Sequence, residues 1–150
     1  GTLEEAQLEE GSFDLIFAIF FLHHLTDGEL SGTVRRLRTL LAPKGRFYSL
    51  DPSWQRLSGD VGKLLFPSLM KKYQSPDERE LDRRELRRIF EAEGMRCRLG
   101  FYDFVSSPLA GLCPGWRAGY LAARAADEVL IRVPGLRLLG SNLEVVAWKP

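Results

Sequence analysis

The order of three segments near the start of the chain constrains the fold more than any other feature of the sequence. Residues 13–20 are short, apolar and rich in aromatic and β-branched side chains, which is typical of a strand buried on both faces. A helix is predicted next, from a Thr-x-x-Glu capping box at Thr26 to the Pro-Lys-Gly turn at 43–45. Residues 46–50 then form a second apolar strand. Because parallel strands need a crossover of this kind, the segment predicts a βαβ unit.

The remainder of the chain continues the alternation of helices and strands. Leucines at helical spacing, interrupted by glycine and proline, predict a kinked helix or two short helices. A helix capped by Asp82 and ended by Gly94 follows. The predicted ranges are 54–73 for the interrupted helix, 82–94 for the capped helix, 95–105 for a strand, 106–115 for a loop, 116–132 for a helix and 142–148 for a final strand. This order places the chain in the α/β class.

Composition excludes several classes of protein. Hydrophobic residues make up 45% and charged residues 27%, with a net charge of +1, which excludes a disordered chain and gives no sign of a nucleic-acid partner. The arginines of residues 79–98 alternate with acids, as on a solvated helix face. The longest apolar run, at 15–22, is far shorter than the roughly 20 residues of a membrane span. Cys97 and Cys113 form no disulfide framework and no metal-ligand spacing, so we expect no metal and a reduced, cytoplasmic setting.

Three segments carry a resemblance to a known family. Residues 11–25 contain a Gly-Ser turn, Phe-Asp, an apolar strand and Leu-His-His-Leu, and residues 36–47 contain a helix end, Ala-Pro-Lys-Gly-Arg and a strand start. In this order they resemble the fourth and fifth strands of class I S-adenosylmethionine-dependent methyltransferases. Arg46 replaces one glycine of the family's turn. The closing residues 142–150, which end in Lys-Pro, resemble the family's last strand.

The resemblance implies a Rossmann-like α/β fold of which this chain supplies the C-terminal half-sheet, with strand order 4-5-7-6, an antiparallel last strand and flanking helices. Residues 1–150 would then be a single, partial domain that lacks the family's glycine-rich cofactor loop, which follows strand one. The chain also starts at Gly1 without a methionine, so we expect it to derive from a longer parent and to be inactive by itself. Strand four would expose an apolar edge, which favours dimerisation.

The resemblance also implies S-adenosylmethionine as the cofactor and suggests where it would be contacted. Thr2 and Leu3 fall where the family often has Gly-Asp before an adenine contact. The end of strand four would place Ala18, Ile19 and Phe20 against the cofactor.

Catalytic candidates follow the two predicted parallel strands, where open α/β sheets bind their ligands. Asp51 follows the second strand and can orient an acceptor hydroxyl or amine, or else cap the turn after it. His23 and His24 are the only histidines, and either can act as a general base near neutral pH. The alternative for the pair is that one packs under the next helix and the other faces solvent.

Two segments can cover a substrate. One carries Trp54, Leu65 and Met70, and the other, between the last two strands, carries Trp116 and Tyr120. Their apolar character favours a small or lipid-like acceptor. The arginines of the second segment also suit a membrane surface or a phosphate-bearing lipid, although an ordinary amphipathic helix that covers the sheet explains the pattern equally. These arginines are Arg117, Arg124, Arg132 and Arg137.

The function predicted from these observations is methyl transfer from S-adenosylmethionine to a small or lipid-like acceptor, as part of a longer parent chain. The alternative is a truncated, non-catalytic α/β module that binds a partner through its open sheet edge or its apolar insert. A nicotinamide-dependent oxidoreductase is a third reading, but the chain has no glycine fingerprint for it and matches the Leu-His-His-Leu pattern instead.

Overall fold

The computed structural model describes residues 3, 5–53, 64 and 81–150. Their contacts fall into two compact units, which we call the first unit (1–51, 81–100 and 144–150) and the second unit (52–80 and 101–143). The elements in chain order are β1 (Phe13–Ile19), a 3₁₀ turn (Leu22–His24), α1 (Asp27–Leu40), β2 (Leu41–Pro52), α2 (Arg83–Ala92), β3 (Arg96–Tyr102), α3 (Ser106–Leu112), α4 (Arg117–Leu130), a second 3₁₀ turn (Leu136–Leu139) and β4 (Asn142–Trp148).

The four strands form one sheet in the order β1-β2-β4-β3. β1 and β2 are parallel, with Phe17 opposite Tyr48 and Ile19 opposite Leu50. The predicted βαβ unit is therefore confirmed, and so is the α/β class. Since β1 to β4 correspond to the predicted strands four, five, six and seven, the predicted order 4-5-7-6 is confirmed as well.

The helix between the two parallel strands begins where the capping box predicts. The Thr26 hydroxyl accepts a hydrogen bond from the Glu29 backbone N–H at 3.4 Å, and the Glu29 carboxylate accepts one from the Thr26 N–H at 2.8 Å. The helix ends at Leu40, earlier than predicted, and residues 41–45 already belong to β2. Gly45 allows the closest approach of β2 to β1, because a Cβ there would lie 2.6 Å from the Phe13 carbonyl oxygen.

The core of the first unit lies on one face of the sheet. α1 buries an apolar stripe that includes Leu30, Val34 and Leu37, and α2 buries Leu86 and Phe90. The Phe90 ring stacks on Phe47 of β2 with the centroids 5.9 Å apart. Asp82 caps α2 as predicted, since its carboxylate accepts hydrogen bonds from the backbone N–H groups of Arg84 and Glu85.

β1 differs from the prediction of a strand buried on both faces, which is wrong. Leu15, Phe17 and Ile19 are 58%, 69% and 46% exposed, whereas Ile16 and Ala18 on the other face are half-buried. β1 is also the edge strand of the sheet that the described residues form. An apolar run of this composition needs cover on both faces to be buried, and the sequence of the run does not show whether that cover exists.

The second unit contains α3, α4 and the second 3₁₀ turn, and α3 packs against α4. The predicted loop at 106–115 is wrong, because Ser106–Leu112 is helical. Pro108 is compatible with this helix because it lies in the first turn, where its missing N–H needs no partner. The predicted helix at 116–132 and strand at 142–148 are confirmed as α4 and β4. The predicted helix at 54–73 lies outside the described residues, apart from residue 64.

Across the described ranges, no helix combines the length and the apolar character that crossing a membrane requires.

Candidate functional site

The candidate site lies in the first unit, where the parallel strands β1 and β2 end side by side. The Phe20 backbone N–H donates to the Leu50 carbonyl at 2.8 Å, which extends the strand pairing by one residue. Phe20 itself has a φ of +52°, a left-handed conformation that is uncommon for a residue with a bulky side chain. The chain turns sharply there and enters the 3₁₀ turn that carries both histidines.

Asp51 fixes this turn from the end of β2. It is completely buried, and its Oδ1 accepts hydrogen bonds from the Phe21 N–H at 2.9 Å and the His23 N–H at 3.3 Å. The same oxygen lies 2.9 Å from the Nδ1 of the His23 ring, and Oδ2 accepts from the Ser49 hydroxyl. All of these donors belong to the first unit, so a single carboxylate joins the end of β2 to the turn after β1.

The contact with Asp51 defines the chemistry of His23. A carboxylate only accepts hydrogen bonds, so Nδ1 is the donor in this contact, and Nε2 is the ring nitrogen that does not face Asp51. This is the arrangement by which a carboxylate orients a histidine base. His23 is 4% exposed, whereas His24 is exposed to solvent, with the two ring centroids 4.0 Å apart. The pair therefore divides into one buried and one solvent-facing ring, and the catalytic role of either histidine stays a prediction.

Ser49 is a site residue that the sequence did not single out. It lies two positions before Asp51, so both side chains project from the same face of β2, and it is fully buried. The sequence does contain a sign of this role, because a serine inside an apolar strand is a polar group that needs a hydrogen-bond partner.

The residues predicted to contact a cofactor are only partly described. Thr2 lies outside the described residues, and Leu3 is half-buried in a turn. At the end of β1, Ala18 is half-buried, and Phe20 presents a 50% exposed ring beside the exposed Ile19. A small side chain next to an exposed aromatic ring fits one flank of a nucleoside-bearing cofactor, because the ring offers a stacking surface. These predicted contacts stay predictions.

The residues predicted to cover a substrate are also described in part. Trp54, Leu65 and Met70 lie outside the described residues. In the second unit, Trp116 and Tyr120 are 58% and 40% exposed at the start of α4.

The second unit holds a further buried polar cluster, which the sequence did not predict. The Asp127 carboxylate on α4 accepts from the backbone N–H groups of Val105 and Ser106, both at 3.0 Å, and so caps α3. Asp103 accepts from the Ser106 hydroxyl at 3.1 Å and lies 3.4 Å from the Asn142 amide. Burial works to raise the pKa of Asp127, but the hydrogen bonds from Ser106, Val105 and the Phe104 backbone outweigh it and hold the pKa below its usual value. The cluster locks α3 onto α4.

Comparison with known proteins identifies the family that this arrangement resembles. Residues 1–49 match a family model described as a methyltransferase domain. This match covers about a third of the chain, and over these residues the predicted resemblance to a methyltransferase domain is confirmed. No curated protein sequence matches the chain significantly.

Solved structures show the same fold. A SAM-dependent methyltransferase from Archaeoglobus fulgidus superposes with a TM-score of 0.58 at 16% identity, covering 98% of this chain and 63% of its own. A second, from Thermotoga maritima, gives 0.60 at 12% identity, covering 100% and 62%. Phosphoethanolamine N-methyltransferase 2 from Haemonchus contortus, solved with phosphomonomethylethanolamine and S-adenosylhomocysteine, gives 0.53 at 14% identity, covering 99% and 36%. The chain thus spans less than two thirds of the length of these proteins.

Proposed function

We propose that this chain forms the C-terminal part of a methyltransferase that transfers a methyl group from S-adenosylmethionine to a small or lipid-like acceptor. The observation that supports it most is the combination of the methyltransferase match over residues 1–49 with a buried Asp51–His23 pair at the carboxyl ends of two parallel strands. Ligands of open α/β sheets bind at that end. The lipid-like acceptor is inferred from the exposed aromatic side chains of the second unit, Trp116 and Tyr120.

S-adenosylmethionine, when bound, supplies an electrophilic methyl group on a sulfonium. His23 is the base in this proposal: Nε2 takes the proton that an acceptor hydroxyl or amine loses as its bond to the methyl carbon forms. Asp51 is a positioning residue, since its oxygens are already occupied by donors of its own chain. It fixes the ring and its protonated nitrogen, and it stabilises the positive charge that the ring acquires. His24, exposed beside His23, is the other candidate base.

Three variants of the complete parent enzyme test these roles. His23→Ala should lower kcat by about 10²–10⁴-fold with little change in KM, as expected for loss of general-base catalysis, whereas His24→Ala should leave kcat within a few-fold. Asp51→Asn should lower kcat and alter the pH profile of kcat, because it weakens the hydrogen bond that fixes the ring. Unchanged turnover in His23→Ala would remove His23 as the base, and a large loss in His24→Ala would transfer the role to it.

Binding of the cofactor is a separate test. The sequence has no glycine-rich strand-to-helix turn, so we expect this chain alone to bind S-adenosylmethionine weakly or not at all in calorimetry, and to be inactive by itself. A longer parent chain with such a turn upstream should bind it. Micromolar affinity of the 150-residue chain would contradict the expectation that the main binding loop lies elsewhere.

One observation favours the second candidate function, a non-catalytic module that binds a partner through its sheet edge. The edge strand β1 exposes Leu15, Phe17 and Ile19 on one face. Exposed apolar edges favour pairing with another chain, including a second copy. Methyl transfer catalysed by the longer parent protein would refute the hypothesis of a non-catalytic module. If no longer form of the chain binds the cofactor or turns over, the hypothesis is supported.

A further inference from the structure

Helix α4 has the reverse of the usual surface pattern. Its buried side carries Gly119, Ala123 and the charged Asp127. Its solvent side is apolar: at 3.6 residues per turn six residues share one broad face, and every one of them is exposed. These six, which we call the outer face, are Ala118, Leu121, Ala122, Ala125, Ala126 and Val129. A surface helix normally turns its polar residues outwards, so the outer face is suited to contact something apolar.

The charges around the outer face are mostly positive. Residues 101–143 contain four arginines and three acids, but two of the acids, Asp103 and Asp127, are buried. Arg124 pairs with the buried Asp103 at 3.5 Å and with Glu128 at 2.7 Å. At the surface this leaves Arg117, Arg132 and Arg137, of which Arg132 lies 3.7 Å from Glu128. The helix therefore joins an apolar face to a basic border.

Together these features identify the kind of surface that α4 fits. An apolar face bordered by arginines is the pattern of a helix that lies in a membrane interface and meets anionic headgroups. Two copies facing each other through this surface would bring like charges together, whereas an anionic bilayer would neutralise them. We propose that the outer face of α4 docks on anionic lipid bilayers.

The test is cosedimentation of the full chain with lipid vesicles. The chain should bind vesicles of phosphatidylcholine with phosphatidylglycerol, and bind pure phosphatidylcholine vesicles much less. Leu121→Ser with Val129→Ser should abolish binding, and both side chains are exposed enough (56% and 60%) for the fold to tolerate the change. Vesicle binding needs neither cofactor nor acceptor, so its outcome is separate from that of the proposed methyl transfer.

Two double variants distinguish the effect of the arginines beside the outer face from the effect of the net charge of the chain. Arg117→Gln with Arg132→Gln should weaken binding about 30-fold at low ionic strength, since each basic residue at an anionic surface contributes about 1 kcal/mol. Arg83→Gln with Arg84→Gln removes the same charge from exposed positions of the first unit and should leave binding nearly unchanged. Equal losses in both pairs, or equal binding to the two kinds of vesicle, would overturn the proposal. So would a wild-type dimer in light scattering that Leu121→Ser with Val129→Ser converts to a monomer without any vesicle binding.

Discussion

Replacing Asp51 by alanine should destabilise the first unit more than any other single change at the candidate site. The carboxylate is completely buried and accepts hydrogen bonds from the Ser49 hydroxyl, which can rotate to another partner, and from three N–H groups, those of the Phe21 backbone, the His23 backbone and the His23 ring. Alanine offers them no acceptor. Water can replace it only by entering a site where Asp51 and Ser49 have no measurable exposure.

The magnitude follows from the number of donors left without a partner. A buried donor that loses its acceptor costs about 1–3 kcal/mol. Two of the bonds are short at 2.9 Å and the third, at 3.3 Å, is weaker, so we expect a total loss of about 3–6 kcal/mol. That is a large part of the roughly 5–15 kcal/mol that stabilises a typical domain. Asp51→Asn keeps one acceptor oxygen, removes the charge and replaces the other oxygen by an NH2 donor, so its cost should be smaller, about 1–2 kcal/mol.

The assay is urea unfolding followed by far-UV circular dichroism, which reports the free energy of unfolding and its m-value. Asp14→Asn is the matched control, because Asp14 lies exposed on β1 of the same unit and its replacement should change stability by less than about 0.5 kcal/mol. The reasoning is refuted if Asp51→Ala is as stable as Asp14→Asn, or if Asp51→Asn costs more than Asp51→Ala.

Three further predictions concern other parts of the chain. Asp127→Asn should destabilise the protein at neutral pH, and because the folded pKa of Asp127 is lowered, the stability gap to wild type should close as the pH falls below about 3.9 in urea titrations; a gap that persists in acid would contradict this. Thr26→Ala removes the cap of α1 and should cost about 1 kcal/mol in the same assay; a variant as stable as the wild type would contradict this. Phe17→Lys should lower any concentration-dependent self-association seen by light scattering, since it places a charge on the exposed face of β1. If the wild type associates and the variant associates equally, β1 is not the contact surface.

Local features of the fold could be predicted from the sequence, and features that depend on distant residues could not. The capping box at Thr26 and the cap at Asp82 depend on residues within one helical turn, so they could be recognised from spacing alone and are confirmed. Ser106–Leu112 was missed because its proline and glycine outweighed its helical character in the sequence. Its N-terminus is stabilised by Asp127, a residue more than twenty positions away that α4 brings into place.

The candidate site was predicted in part for the same reason. Asp51 and His23 can be predicted from the sequence, because each follows an apolar strand and parallel strands end at the same edge of a sheet. Their 2.9 Å contact, the burial of both side chains and the participation of Ser49 depend on how the turn after β1 folds back onto β2. That turn contains a left-handed phenylalanine, which no local pattern predicts.

The sequence by itself determined the order of the strands, the methyltransferase resemblance and the caps at Thr26 and Asp82, because each depends on neighbouring residues or on the period of a single element. The tertiary structure decided what each apolar surface meets. β1 is as apolar as a central strand yet lies at an edge, and α4 turns Asp127 inwards and its apolar face outwards. An apolar sequence shows that burying a surface would be favourable in free energy. Only the arrangement of distant segments determines whether another part of the chain packs on that surface.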